Sequence, residues 1–304
     1  MKSLFFVAAV TLLNVAFAAV PLNASAVRSE LDSPLSSLQW TSRNNRRANG
    51  KNKWWRNAPP KCSPTNQCTF FDHFNTLNTW RWTKSDNYAN GDPFNAWWSA
   101  DQVSVDAKRN QLKLTLAQHH HHGKPFKSGQ IKSNNWHGYG CYEVRMRPVA
   151  QTGVISTFFA YTGPWDAAPG KSGAHNEIDI EFVRKSASGK LMLQTNYFTN
   201  GQGGNEHDVH LPFDPSSSMH NYGFRWTQHA IQWYVNGQLV HTAKNNIPKV
   251  HVAPLRIFLS LWPVSWKAAA WGGHFAYAGH RTAAYDWVRF TKGSNCNSKW
   301  WKTQ

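Results

Sequence analysis

The residues best equipped for chemistry are three acids at alternate positions, Glu177, Asp179 and Glu181, in the stretch AHNEIDIEFV at 174–183. Alternate side chains of an extended strand share a face, so the acids point one way while Ile178, Ile180 and Phe182 point the other. Acids are depleted from strands and repel one another when crowded on one face, a cost that ordinary surface does not explain. Cleavage of an acetal does explain it. A glycosidic bond needs a proton donor for the leaving oxygen and a carboxylate on the opposite side of the sugar, and double displacement holds the two carboxyl groups about 5 to 5.5 Å apart. α-Carbons four residues apart on a strand are separated by roughly 13 Å, so Glu177 and Glu181 must lean together on a curved sheet. The charge of Asp179 between them keeps one glutamate protonated as a general acid while the other attacks, and the three titrate as a coupled set. Calcium fits such a strand poorly, because it takes ligands from flexible loops that include carbonyl oxygens.

Short β-prone runs divided by turn residues begin at Phe70 and must supply the scaffold. QLKLTLA alternates Leu112, Leu114 and Leu116 with polar partners, and CYEVRMRP alternates Tyr142, Val144 and Met146 with Glu143, Arg145 and Arg147. IQWYVNGQLVHTA reads as a hairpin, with Asn236-Gly237 supplying the positive φ angles of a tight turn. No long helical period and no repeat appears, so the expected class is all-β, a sandwich or jelly roll. Aromatic residues near the acids, Phe159, Tyr161 and Trp165 before them and Trp262, Trp266 and Trp271 after, offer flat faces for sugar rings and point to a groove. The run His119–His122 is read as a solvated turn between strands and not as a metal site, and the glycine-rich NGQGGNE at 200–206 as a turn lacking the setting of a phosphate loop.

The whole chain bounds these readings. Residues 1–18 carry a lysine, an apolar run and the small-x-small end Ala16-Phe17-Ala18, the order of a secretory signal peptide, and nothing else predicts a membrane span. Residues 19–61 form a basic stretch with Arg43, Arg46, Arg47, Lys51, Lys53 and Arg56, expected to be a flexible tail. The remaining assignments are a catalytic domain over 62–298 and a C-terminal tail at 299–304. With 33 Lys and Arg against 16 Asp and Glu, the net charge of +17 favours contact with an anionic polymer or cell surface, and export argues against nucleic acid. The expected product is a secreted monomer acting on polysaccharide. Export permits disulfides, and Cys62, Cys68, Cys141 and Cys296 allow three pairings, of which Cys62 with Cys68 and Cys141 with Cys296 is preferred.

The run EIDIEF at 177–182, together with DNYANGDPFNAWW, GYGCYEVRMRP, TGVISTFFAYTGP, LQTNYFTNGQGGNEH, WYVNGQLVHTA and AAYDWVRFT in that order, resembles glycoside hydrolase family 16 over about residues 70 to 292. The resemblance implies a concanavalin-like jelly roll of two antiparallel sheets with an open cleft, and a retaining endo-β-glycanase that needs no cofactor. It makes Glu177 the nucleophile, Glu181 the general acid and base, and Asp179 the residue that tunes them. Asn90, Tyr161, Asn196, Trp262 and Trp271 fall where lichenase-like members contact the glucan, with Phe159 beside them. Gln130, Lys132, His175 and Ser260 stand where lichenases carry glutamate, arginine, tryptophan and asparagine, and are expected at the same subsites with altered contacts. An insertion, DAAPGKSGA, lengthens the loop into the catalytic strand. The family's structural calcium would include Asp286. A β-glucan with 1,3 or mixed 1,3-1,4 linkages is the expected substrate. The alternatives are an acidic, succinoglycan-like exopolysaccharide, since SGQIKS, His175, the long loop before the acids and GGNE are similar to glycanases of such polymers, transglycosylation, and a non-catalytic lectin-like protein on the same scaffold.

Overall fold

The computed structural model describes residues 69–187, 189–293 and Cys296. The leader, the basic stretch, the Cys62–Cys68 pair and residues 299–304 lie outside the described residues. Seventeen strands occur among the described residues. In chain order they are β1 (Phe70–Asp72), β2 (Trp82–Lys84), β3 (Trp97–Trp98), β4 (Val103–Asp106), β5 (Gln111–His121), β6 (Lys124–Ser128), β7 (Gln130–Ser133), β8 (Gly140–Arg147) and β9 (Val154–Thr162). They continue with β10 (Asn176–Val183), β11 (Met192–Phe198), β12 (His207–Val209), β13 (His220–Trp226), β14 (Ile231–Val235), β15 (Gln238–Ala243), β16 (Arg256–Pro263) and β17 (Arg281–Lys292). Helix is confined to short turns such as Ala269–Gly272.

Two sheets form a β-sandwich jelly roll. One has ten strands in the order β15-β14-β13-β8-β17-β5-β6-β3, with β1 also on β17 and β4 also on β5. The other has seven, β12-β11-β10-β9-β16-β7-β2, so the acid-bearing β10 has a partner on each side. All pairings follow the expected antiparallel pattern except β3 with β6, which is parallel. Period-two patterning explains the layering. Ile178, Ile180 and Phe182 of β10 meet Leu112, Leu114, Tyr142, Val144, Phe224 and Phe290 of the larger sheet in one fully buried core. Each such side chain contributes about 1.5 to 3 kcal/mol on leaving water.

Polar ties also run from the larger sheet to the smaller one. Trp233 Nε1 donates to the Asp179 backbone carbonyl at 2.9 Å. Tyr285 Oη donates to the Thr157 carbonyl at 3.0 Å and lies 3.2 Å from that of Ser260. The backbone under the acids is therefore held from beneath by two buried aromatic residues whose polar ends find partners.

The expected hairpin is present between β14 and β15, with Asn236 at φ 48° and Gly237 at φ 80°. Cys141 and Cys296 form the expected disulfide with an α-carbon separation of 5.3 Å, joining β8 to the segment after β17. The histidine run differs from the expectation of a loop: His119 to His121 continue β5, and only His122, at φ 46°, enters the turn, where its ring stacks on Trp97. The 200–206 stretch does turn. Asn200 and Gly201 have positive φ, and Gly201 N–H donates to the His175 carbonyl at 2.8 Å, fixing the backbone at the entry to β10.

Candidate active site

Directly opposed residues of paired strands share a face, so register alone assembles the site. On β10, Glu177 lies opposite Tyr161 and Phe198, Asp179 opposite Phe159 and Asn196, and Glu181 opposite Thr157 and Gln194. One strand further, β16 sets Arg256, Phe258 and Ser260 against Tyr161, Phe159 and Thr157, and Trp262 against Ile155. Beyond it, β7 places Lys132 against Phe258 and Gln130 against Ser260. Gln130, Lys132, Phe159, Tyr161, Asn196, Ser260 and Trp262 thus share the face of the three acids, the face turned away from the core.

The electrostatics separate the acids. Asp179 is buried, and its pKa is raised well above the usual carboxylate range by burial first, then by the charges of Glu177 and Glu181, a hydrogen bond to Glu177 and the charge of Glu206. Glu181 is pushed up to about 8 by burial, then by the charges of Glu177 and Glu206. Glu177 has a different neighbour: its Oε2 lies 2.6 Å from His175 Nε2. The imidazole is stacked on Phe198 at 4.7 Å and tilted against Tyr161 at 5.3 Å, so aromatic packing sets its orientation. The face therefore offers a carboxyl that keeps its proton near neutral pH and, two alternate positions away, a hydrogen-bonded carboxylate.

Several expected sugar contacts are engaged with protein. Gln130 Nε2 donates to Ser85 Oγ at 2.7 Å and to Tyr88 Oη at 2.9 Å. Ser260 Oγ shares a hydrogen bond of 2.6 Å with Thr157 Oγ1. Asn90 Oδ1 accepts from Trp98 Nε1 at 2.6 Å, and Asn196 Oδ1 accepts from Tyr197 N–H at 2.8 Å. Lys132 pairs with Asp166 at 3.4 Å, beside the Arg256–Asp166 pair at 3.1 Å. His175, expected at a subsite, has its Nε2 hydrogen-bonded to Glu177 Oε2. Trp262 has only 3% of its surface exposed, closed in by Phe94 at 4.3 Å and Trp271 at 6.0 Å between ring centres. Trp271 beside it is half-buried, with Nε1 donating to Gln194 Oε1 at 2.8 Å.

Sequence reasoning missed Phe258, Gln194, Glu206, Tyr88 and the Asp166–Arg256 pair. Phe258 and Gln194 had a signal, since they stand two residues from Ser260 and Asn196 on the same strands. Glu206, whose Oε1 lies 3.4 Å from Asn196 Nδ2, had only its place at the end of GGNE.

Asp286, expected to belong to a structural calcium site, is engaged by a cation of the protein. Its carboxylate pairs with Arg145 at 3.2 Å, and among the described residues no group of three or more His, Cys, Asp or Glu could hold a metal ion.

Comparison with known proteins shows the family. The sequence profile of "Glycosyl hydrolases family 16" matches residues 90–289. The chain is 42% identical to a β-glucanase of Bacillus subtilis over 224 residues, covering 74% of this chain and 86% of that protein. Its fold matches the solved structure of a Bacillus licheniformis β-glucanase with a TM-score of 0.66 at 40% identity, covering 74% of this chain and 98% of that one. A β-1,3-1,4-glucanase (lichenase) derived from a mouse hindgut metagenome also matches with a TM-score of 0.66, at 34% identity, covering 73% and 98%. The chain belongs to glycosyl hydrolase family 16 and is a glycoside hydrolase.

Proposed function

We propose that this glycoside hydrolase cleaves internal bonds of a β-glucan with 1,3 or mixed 1,3-1,4 linkages by double displacement with retention. The observation that carries the reading is the divided acid line on β10: Glu181 raised to about 8 and Glu177 held by His175, on one aromatic-lined face. Glu181 gives its proton to the glycosidic oxygen as that oxygen leaves, and a Glu177 carboxylate oxygen bonds the anomeric carbon. Esterification removes the charge of Glu177, one of the causes that raise Glu181. The pKa of Glu181 then falls, so that it stays ionised and can take a proton from the water that attacks the anomeric carbon and frees Glu177. Asp179, which binds its proton tightly, steadies Glu177 through their hydrogen bond.

The β-glucanase relatives at about 40% identity support a β-glucan substrate. Export through residues 1–18 would bring a monomeric enzyme to its polymer, and residues 19–61 would give it affinity for anionic surfaces.

Incubation with barley β-glucan, laminarin, agarose and an acidic exopolysaccharide, followed by sizing with an added oligosaccharide acceptor, tests substrate and reaction together. Shorter chains from the first two polymers are expected. Longer chains mean transglycosylation, and no products from any polymer mean a binding protein. Glu177→Gln and Glu181→Gln should each abolish turnover with folding intact.

A further inference from the structure

The loop between β9 and β10 holds Trp165, the most exposed large apolar side chain among the described residues, at 96%. An indole left wholly in water forgoes the stabilisation that burial of a large apolar side chain brings. Its neighbour Asp166 shows why the ring does not simply fold back. The Asp166 carboxylate is only 10% exposed and pairs with both Lys132 and Arg256, which belong to the acid face by register. The Arg256 guanidinium in turn lies on the Trp136 ring, 3.8 Å from its centre. The Asp166 backbone is tied at both ends, its N–H to the Gly163 carbonyl at 3.0 Å and its carbonyl to Thr162 Oγ1 at 3.0 Å. Further along, Lys171 Nζ donates to the His251 carbonyl at 3.1 Å. Consecutive α-carbons are 3.80 Å apart, so Trp165 stands within a side-chain length of the Lys132–Asp166–Arg256 cluster, with both ring faces open.

Trp80 and Trp266 are also highly exposed, at 92% and 80%. Trp165 differs from them in that the next residue is ion-paired to two cations of the acid face. Its loop is the one that leads directly into the nucleophile strand, past Tyr161 and His175.

Resting on the β-glucan reading, we propose that Trp165 forms an outer subsite that stacks one pyranose ring of a glucan chain extending beyond the acids at the Tyr161–Glu177 end of the face. The flat apolar side of a β-linked glucose packs on an indole face, and a ring already held in place loses little freedom on binding. The occupant is a neutral β-glucan chain long enough to pass the rim. Short oligosaccharides held around the acids do not reach it.

Affinity electrophoresis in gels containing barley β-glucan tests this without turnover, using Glu177→Gln as the parent. Adding Trp165→Ala should weaken polymer binding about five- to tenfold, the range expected for one aromatic stacking contact. Trp165→Phe should recover most of the loss, and in wild type Trp165→Ala should raise KM for polymer with kcat kept. The effect should shrink towards none with cello- or laminari-oligosaccharides of two or three units. Unaltered polymer binding by Trp165→Ala, or equal losses for polymer and disaccharide, overturns the subsite. Absence of retardation of the parent, with no glucan cleavage by wild type, overturns the β-glucan reading and the subsite with it.

Discussion

His175 carries a role that its position two residues before Glu177 disguises. Alternation places both on one side, yet a histidine ahead of an acid reads equally well as a sugar donor or a surface residue. Only the ring stack on Phe198, from a strand about twenty residues later, turns Nε2 onto Glu177. His175→Phe keeps an aromatic ring there but removes the hydrogen bond. Steady-state kinetics on β-glucan should show kcat lowered at least about tenfold with KM little changed, the mark of a transition-state interaction. His175→Gln, which restores an N–H donor, should recover part of the loss. A rise in KM alone would mean that His175 binds sugar. The raised Glu181 gives a second test at this scale. Proton donation fails as pH rises through about 8, so that pH should mark the alkaline limb of kcat. Glu206→Gln deletes a negative charge that raises Glu181, so the limb should move to lower pH.

Strands, more than loops, were legible in the sequence, and the reason is the period of two. EIDIEF displays both faces of β10 in six residues, and the hairpin at Asn236-Gly237 has a signal of equal strength. Trp262 shows where that legibility ends. Its place on β16 puts it on the acid face, but Phe94, distant in sequence, and Trp271, from the turn after β16, close over it. Alternation gives a side, not a depth. The histidines at the end of β5 show the converse, since residues that favour turns were recruited into a strand by pairing, His121 with Lys124. The ties beneath β10 were likewise hidden, because they join side chains of one sheet to backbone of the other. Trp233→Phe leaves the Asp179 carbonyl without its buried donor and should cost about 1 to 3 kcal/mol in urea unfolding, with kcat reduced as β10 loosens. Unchanged unfolding would show that the hydrogen bond is dispensable.

At the scale of the molecule, a sandwich of two sheets presents the acids on a face whose underside is a continuous core, so the site is only as rigid as the packing below it. The Cys141–Cys296 bond closes a segment with a sequence separation of 155 and anchors the chain's return past β17. Replacing both cysteines by alanine should lower stability by about 2 to 5 kcal/mol, measured by denaturant unfolding, while activity below the new transition is retained. The sequence left three pairings of the four cysteines open, and this pair was one of the two preferred. The family could also be read from the ordered motifs, whereas the depth of the subsites depended on contacts between residues far apart in the chain.

The direct test of double displacement is the covalent intermediate itself. Incubation with an activated 2-deoxy-2-fluoro β-glucan oligosaccharide, digestion and mass spectrometry should locate one glycosyl adduct on Glu177, absent from Glu177→Gln. An adduct on Glu181 or elsewhere, or turnover of natural glucan that releases α-anomers first, would contradict the roles assigned to the three acids.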